Sequence, residues 1–208
     1  MIRIALSLLL LLSITAIVPA RASDLQSLAA ALKQGGYVII LRHGATDESQ
    51  RDVYPFRFDD MKAQRQLSDK GREIARAIGA SFKELGIPIG EVYTSRLNRA
   101  VETGKLIAAK DVTPKDELTD SGAGSASSMA NPEGTNEKFG RALRALAASP
   151  PVQVNTVLVT HKTNIADAFG KGYADVQEGE ALIFRPSPSG LSLAGRVKAD
   201  EWTKLPHG

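Results

Sequence analysis

The 208-residue sequence contains no cysteine, and this absence excludes several kinds of chemistry. A chain without thiols forms no disulfides, has no thiolate nucleophile and builds no cysteine-based zinc site. Histidine is also scarce, since the sequence contains only His43, His161 and His207. Two histidines without a carboxylate at ligand spacing do not predict a metal centre, and His207 lies next to the C-terminus. We therefore expect a fold held by its hydrophobic core and a protein that needs no metal or other cofactor.

The sequence also lacks a strong excess of either charge. Lys and Arg number 26, and Asp and Glu number 23. The first 22 residues contain Arg3 and Arg21 and no acidic residue, so the remainder carries 24 basic against 23 acidic residues. This near balance gives no electrostatic reason to expect nucleic acid or an anionic membrane as a partner.

The N-terminal segment 1–22 has the composition of a signal peptide. A positive start precedes an apolar run from Ile4 to Val18, and Ala20-Arg21-Ala22 has the small residues of a cleavage site. The run is shorter than the roughly 20 apolar residues that a transmembrane helix needs, although an uncleaved membrane anchor is the alternative. We expect cleavage after Ala22, a single domain over residues 23–208, no stable membrane insertion afterwards, and a periplasmic or secreted location.

Apolar periodicity alternates between strands and helices along the rest of the chain. Short apolar runs predict strands, and spacings of three and four residues predict amphipathic helices. In chain order the predicted elements are a helix over Asp24–Lys33, a strand over Tyr37–Leu41, a helix that opens at Ser68 and closes at Gly86, a strand over Glu91–Thr94, a helix capped by Ser95 and running to about Lys110, a helix over Asn136–Ala148, a strand over Thr156–Thr160, a short helix over Asn164–Phe169, and a hairpin of Ala181–Phe184 with Leu191–Ala194. This order predicts a three-layer α/β/α fold with a mainly parallel central sheet.

Chemically active side chains follow two of the predicted strands directly. One strand ends in Arg42-His43-Gly44, and the strand over Thr156–Thr160 ends in His161. The carboxyl ends of parallel strands meet at one edge of an open α/β sheet, where ligands bind. One such histidine alone could be an ordinary polar residue at a strand end, but the pair beside Arg42 favours a functional site. Gly44 has no Cβ and would let a ligand approach the backbone.

Two polar stretches have the composition of loops that set specificity. Residues 46–66 follow the first strand-end histidine, and residues 121–135 are rich in Ser, Gly, Ala and Asn. Long loops of this kind are often functional. Neither carries a readable code for a substrate, so the sequence does not identify one.

Four short motifs are spread between about residue 37 and residue 165. They are Leu41-Arg42-His43-Gly44 with Thr46, Leu67-Ser68 with Gly71 and Ala75, Tyr93-Thr94-Ser95 with Leu97, Arg99-Ala100 and Thr103, and Leu158-Val159-Thr160-His161. In this order they resemble the motifs of the histidine phosphatase superfamily, also called the phosphoglycerate mutase-like family. Ala45 and Asp47 after the first histidine and Lys162 after the second are similar to the mutase-type branch, not to the phytase branch. The resemblance implies a phosphoglycerate mutase-like fold.

The resemblance also implies roles for individual residues. His43 would be the nucleophile that becomes phosphohistidine, and Arg42, Arg99 and His161 would line the phosphate pocket. His161 would also be catalytic, because it can donate a hydrogen bond as charge builds on the phosphoryl group. Arg96, one helical turn from Arg99, would lie at the rim. We further expect one ring nitrogen of His43 to be held by a nearby backbone carbonyl, which fixes the tautomer.

A carboxylic acid must supply the proton that the leaving oxygen needs. The family places its acid after a short Leu-x motif, and Leu118-Thr119-Asp120 fits that placement. Asp120 is therefore the expected proton donor, with the neighbouring Glu117 as the alternative.

Together, the resemblance and the export signal imply an exported phosphatase that hydrolyses a small phosphorylated substrate, a phosphomonoester, through a phosphohistidine intermediate. A phosphomutase is the alternative among enzymes, although such enzymes serve cytosolic sugar metabolism. A catalytically weak phospholigand-binding protein is the alternative outside enzymes. Phosphorylated cell-envelope glycans or phosphoproteins are further possible substrates, suggested only by the compartment.

Overall fold

The computed structural model describes residues 20–119, 136–149 and 152–205. Within these ranges the chain forms five α-helices and six β-strands. The helices are α1 Ala20–Lys33, α2 Asp69–Glu84, α3 Asn98–Ala108, α4 Glu137–Ala147 and α5 Lys162–Phe169. The strands are β1 Val38–Arg42, β2 Ile89–Thr94, β3 Thr113–Pro114, β4 Asn155–Thr160, β5 Ala181–Ser187 and β6 Gly190–Val197. None of the described helices is long and apolar enough to cross a membrane.

The six strands form one sheet in the order β3-β2-β4-β1-β5-β6. The pairings β1 with β4, β2 with β4 and β2 with β3 are parallel. The strands β5 and β6 form an antiparallel hairpin, and β5 runs antiparallel to β1. The predicted α/β fold with a mainly parallel sheet and a hairpin at one end is therefore confirmed.

Side chains of β1 alternate between two hydrophobic cores on opposite faces of the sheet. Ile39 and Leu41 pack in the core that includes α1, α2 and α3, whereas Val38 and Ile40 pack in the core that includes α4 and α5. All four side chains are fully buried. A strand buried on both faces reads as a continuous apolar run, which is how it appears in the sequence. Helices on both faces make the arrangement three-layered.

Several element boundaries differ from the sequence prediction. The helix α1 begins at Ala20, not Asp24, because Ala, Arg and Ser are compatible with helical backbone. It therefore runs through the predicted cleavage point after Ala22, and cleavage stays a prediction. The strand β3 was not predicted, since its two residues are too few for a period-two pattern. Both hairpin strands are longer than predicted and leave a two-residue turn at 188–189.

A buried amide ties the start of β4 to three neighbouring segments. The side chain of Asn155 is fully buried. Its Oδ1 accepts a hydrogen bond from the Tyr37 amide at 3.2 Å, and its Nδ2 donates to the carbonyls of Leu32 and Pro88 at 2.8 and 3.0 Å. One side chain thus links the end of α1, the approach to β1 and the approach to β2. These bonds help to set the relative positions of the strands whose other ends carry the site.

Candidate active site

The two strand-end histidines lie side by side at the carboxyl edge of the sheet. Arg42 of β1 is in register with Thr160 of β4, so the residues that follow them emerge together. The His43 amide donates to the Thr160 carbonyl at 3.1 Å. The ring centroids of His43 and His161 are 5.1 Å apart, with the rings inclined at 62°. Residues 118 positions apart in the sequence therefore face each other across one small space.

Two glycines allow the chain after His43 to pack against the start of α2. A Cβ on Gly44 would lie 2.8 Å from the Gly71 carbonyl oxygen, and a Cβ on Gly71 would overlap the Ala45 carbonyl oxygen. The expectation that Gly44 serves close approach of a ligand is therefore corrected, because the space is filled by the backbone of α2. The Gly44 amide donates to the Thr103 hydroxyl at 3.1 Å, which anchors this turn to α3.

His43 is held in one ring orientation by its own neighbour. Its Nδ1 lies 2.7 Å from the Gly44 carbonyl oxygen, and the residue is 3% exposed. A carbonyl oxygen can only accept, so this contact requires the proton to be on Nδ1. The lone pair is then on Nε2. An imidazole in this tautomer is oriented to act as a nucleophile through Nε2.

His161 is held by the hydroxyl of Ser95. Its Nε2 lies 2.8 Å from Ser95 Oγ, and the same Oγ accepts from the Leu97 amide at 3.1 Å. The hydroxyl proton can then be donated to Nε2, which favours a proton on Nδ1. Nδ1 is buried and has no hydrogen-bond partner. The sequence predicted Ser95 as the cap of α3, and this prediction is wrong. The helix begins at Asn98, and the residue at its cap position makes no side-chain hydrogen bond.

Arg99 is buried in the first turn of α3, and a carboxylate offsets its charge. Its side chain is 1% exposed, and its Nη1 lies 3.0 and 3.1 Å from the two carboxylate oxygens of Asp52. The same carboxylate accepts from the Arg65 amide at 2.9 Å. Burial of a guanidinium is costly unless an opposite charge accompanies it. Asp52, in the loop of residues 46–66, is that charge.

Arg42 lies on the other side of the site, where the segment before β5 holds it. Its Nη1 donates to the Val176 carbonyl at 2.8 Å, and its Nη2 lies 3.3 Å from Glu178 Oε1. Its Nε is buried without a hydrogen-bond partner. Burial lowers the pKa of the Arg42 guanidinium, while Glu178 raises it and the charge of Arg65 lowers it. A guanidinium nevertheless stays charged at any physiological pH.

Burial and nearby arginines keep both histidines neutral. Burial is the main cause that places the pKa of His43 well below its usual value, followed by the neighbouring His161 and Arg99. The Gly44 carbonyl acts in the opposite direction. Burial also lowers the pKa of His161 well below its usual value, followed by the charges of Arg99 and Arg42. A neutral imidazole and two guanidinium groups meet the requirements of phosphoryl transfer to nitrogen.

The sequence profile of the histidine phosphatase superfamily (branch 1) matches residues 38–156 of the chain. This chain belongs to the histidine phosphatase superfamily. The matched region contains Arg42, His43 and Arg99 and ends before His161. The mutase-like assignment made from the four sequence motifs is thereby confirmed at the level of the superfamily.

A curated relative and two solved structures are similar to this chain. The 2,3-bisphosphoglycerate-dependent phosphoglycerate mutase of Staphylococcus haemolyticus is 34% identical over 73 residues, which are 35% of this chain and 30% of that protein. A phosphoserine phosphatase mutant from Entamoeba histolytica, in complex with phosphoserine, matches at a TM-score of 0.52 and 15% identity, over 78% of this chain and 97% of that one. A mycobacterial glucosyl-3-phosphoglycerate phosphatase, in complex with VO3, matches at a TM-score of 0.52 and 18% identity, over 76% of this chain and 97% of that one.

The likenesses to solved structures show the fold. The match to the superfamily profile supports an enzyme of the phosphatase or mutase type. The match to the curated relative spans less than a third of that protein's length. Its substrates and activity therefore do not transfer directly to this chain.

The expected proton donor, Asp120, lies outside the described residues. The backbone just before it is fixed at the site, because the Thr119 carbonyl accepts from Asn164 Nδ2 at 2.9 Å. The alternative, Glu117, is exposed and lies in a single 3₁₀ turn, Asp116–Leu118, not in an extended segment.

Arg96 is exposed, as a rim residue would be, and it contacts the loop of residues 46–66. Its guanidinium lies 4.0 Å from the centre of the Phe58 ring and 3.1 Å from Asp116 Oδ1. The second predicted loop, residues 121–135, lies outside the described residues.

Four residues at the site were not singled out as site residues in the sequence. They are Asp52, Arg65, Ser95 and Glu178. Asp52 and Arg65 lie in the loop of residues 46–66, whose sequence predicts a functional role, and Ser95 lies in one of the four motifs. No sequence signal distinguishes Glu178, because its role depends on where β5 pairs with β1.

Within the described residues, no group of three or more His, Asp or Glu side chains is placed to hold a metal ion. The two histidines instead contact Gly44 and Ser95. The expectation that catalysis needs no metal stays a prediction.

Proposed function

We propose that this histidine phosphatase is an exported phosphomonoesterase that works through a phosphohistidine at His43. The observation that carries the proposal is the held imidazole of His43. Its Nδ1 is fixed by the Gly44 carbonyl at 2.7 Å, its pKa is lowered by burial, and its ring centroid lies 5.1 Å from that of His161. A neutral, oriented and buried imidazole among guanidinium groups is what nucleophilic attack on a phosphoryl group requires.

In the first step, Nε2 of His43 attacks the phosphorus atom in line with the ester oxygen. The N–P bond forms, the P–O ester bond breaks, and the leaving oxygen takes a proton from a carboxylic acid. Arg42 and Arg99 hold the phosphoryl oxygens, and Nδ1 of His161 donates a hydrogen bond to one of them as negative charge builds. Asp120 is the proposed acid and Glu117 the alternative.

In the second step, a water molecule attacks the phosphorus atom of phosphohistidine. The same carboxylate, now ionised, takes a proton from the water as its oxygen bonds to phosphorus. The N–P bond breaks, inorganic phosphate leaves, and the lone pair returns to Nε2 of His43. The acid and the nucleophile are then ready for another cycle.

The test uses protein expressed from the full sequence and the generic substrate p-nitrophenyl phosphate. His43→Ala is expected to lower kcat by at least a thousandfold while the circular dichroism spectrum is unchanged. Brief incubation of wild type with a ³²P-labelled phosphomonoester, followed by alkaline quench, should leave label on His43. Activity of the variant within tenfold of wild type would contradict the nucleophile assignment.

The acid is tested by comparing Asp120→Asn with Glu117→Gln. If Asp120 donates the proton, Asp120→Asn should lower kcat by about a hundredfold, the typical contribution of a general acid. The exposed Glu117 should tolerate its substitution. The reverse result would assign the acid to Glu117, and no effect of either variant on turnover would show that neither carboxylate is a working acid. A wild type that binds phosphate without turnover would favour a phospholigand-binding protein.

A mutase activity is the second candidate, and the similarity to a phosphoglycerate mutase over 73 residues favours it. Incubation with 3-phosphoglycerate separates the two activities. Release of inorganic phosphate supports the phosphatase, whereas formation of 2-phosphoglycerate supports the mutase.

The export part of the proposal is supported by the composition of residues 1–22. We expect protein from the periplasm or medium to begin at Ser23 when measured by mass spectrometry. Intact Met1 in a membrane fraction would support the anchor alternative.

A further inference from the structure

The last residues of the loop after His43 form a short extended segment beside the site. Gln64 has φ −126° and ψ 140°, and Leu67 forms an isolated β-bridge with Thr46. The side chains of Gln64 and Gln66 both contact Asn98, at the start of α3. Because side chains alternate in extended backbone, Arg65 projects from the opposite face of this segment.

The backbone of Arg65 is linked through Asp52 to Arg99, one of the proposed phosphate-binding residues. Its amide donates to Asp52 Oδ1 at 2.9 Å, and the same oxygen lies 3.0 Å from Arg99 Nη1. Its Nε is buried and has no hydrogen-bond partner. A buried guanidinium nitrogen without a partner marks a position where an acceptor is expected.

The charge of Arg65 lowers the pKa of two other residues of the site. After burial and the charges of Arg99 and Arg42, it is a further cause of the low pKa of His161. It also lowers the pKa of Arg42, after the effects of burial and Glu178. Both effects have the direction expected of a positive charge in the neighbourhood of the site.

The other two arginines of the site are already compensated. Asp52 accompanies Arg99, and Glu178 accompanies Arg42. Within the ranges that the structure describes, Arg65 makes no ion pair. An incoming phosphate dianion would meet two arginine–carboxylate pairs and the uncompensated charge of Arg65.

We propose that Arg65 is a third guanidinium of the phosphate pocket and binds the phosphoryl group of the substrate together with Arg42 and Arg99. The inference rests on the proposed function, since it assumes that the pocket receives a phosphoryl group. It assigns the loop of residues 46–66 a direct part in binding. Asp52 and Glu178 offset the charges of Arg99 and Arg42. Arg65 therefore supplies the net positive charge of the pocket.

The experiment measures binding of inorganic phosphate by isothermal titration calorimetry to wild type, Arg65→Gln, Arg65→Lys and Arg57→Gln. Arg57 is the matched control, because it lies in the same loop with its side chain 66% exposed. A hydrogen bond to a charged group is worth about 1.5–3 kcal/mol, so Arg65→Gln should raise the Kd roughly 10- to 100-fold. The Kd of Arg65→Lys should lie between those of wild type and Arg65→Gln. The Kd of Arg57→Gln should lie within twofold of wild type.

The backbone bond of residue 65 to Asp52 is kept in both Arg65 variants, and thermal melts verify that each is folded. If Arg65→Gln is unfolded, Arg65→Lys alone decides, because it keeps the charge but loses the planar fork. A folded Arg65 variant with a phosphate Kd within twofold of wild type would overturn the inference, as would a wild type that binds no phosphate at millimolar concentration.

Hydrolysis of p-nitrophenyl phosphate is measured on the same samples. Arg65-dependent phosphate binding without hydrolysis would support the inference and contradict the proposed function. Hydrolysis by wild type with phosphate binding unchanged in Arg65→Gln would support the function and contradict the inference.

Discussion

The two buried histidines predict how the stability of the fold depends on pH. The pKa of both His43 and His161 is lowered well below its ordinary value, chiefly by burial. In the unfolded chain both imidazoles titrate near their usual value of about 6.5. The unfolded state therefore binds more protons than the folded state below this pH. Stability is fully present above about pH 6.5 and falls as the pH is lowered toward the folded-state values.

The size of the effect follows from proton linkage. While a histidine stays neutral in the folded state, each pH unit below its unfolded pKa of about 6.5 lowers the free energy of unfolding by about 1.4 kcal/mol. The two histidines together should therefore lower it by about 2.7 kcal/mol per pH unit, which is large beside the roughly 5–15 kcal/mol that stabilises a typical domain. Carboxylates with a lowered pKa, such as Asp175 beside Arg196, lose their stabilising contribution to folding only below about pH 4.

Urea unfolding, followed by circular dichroism at intervals between pH 7.5 and pH 5, measures how steeply the free energy of unfolding falls with pH. His43→Gln and His161→Gln should each remove about half of the pH dependence, whatever their effect on stability at pH 7.5. Variants that keep the full wild-type slope would refute the reasoning, because they would show that other groups bind the protons.

Further predictions concern single contacts. Ser95→Ala should lower kcat about tenfold, because His161 loses the contact that orients its ring, as steady-state kinetics will show. Asn155→Ala should lower the free energy of unfolding by about 2–4 kcal/mol, since it leaves buried backbone groups unpaired, and urea titration measures this. Gly71→Ala should destabilise the protein strongly, whereas Gly172→Ala, whose Cβ meets nothing within 4 Å, should not, and melting temperatures compare them. Treatment with EDTA should leave phosphatase activity unchanged.

The position of the nucleophile could be predicted because it depends on local sequence and a general rule of topology. An apolar run that stops at Arg42-His43 fixes a strand end, and parallel neighbouring strands bring their ends to one edge. The register of Arg42 with Thr160 then places His43 beside His161. Nothing beyond strand identity and parallel pairing was needed for that part of the site.

The partners of these residues could not be predicted, because they come from irregular backbone. Asp52 reaches Arg99 across 47 positions, and Glu178 reaches Arg42 across 136. Both contacts depend on the course of irregular loops, which the spacing of apolar residues does not predict. Gly44 was placed correctly but for another reason, since its missing Cβ makes room for Gly71, not for a ligand.

The charges of the site connect phosphate binding to the reactivity of the nucleophile. The positive charges of Arg99 and Arg42 lower the pKa of His43, in addition to burial and the neighbouring His161. The groups that would attract a phosphate dianion therefore also keep Nε2 unprotonated and able to attack. Asp52 and Glu178 limit this effect, since each offsets one guanidinium and makes its burial less costly. In this arrangement the loop after His43 belongs to the chemistry of the site as much as the two strand ends do, because it contributes both Asp52 and Arg65.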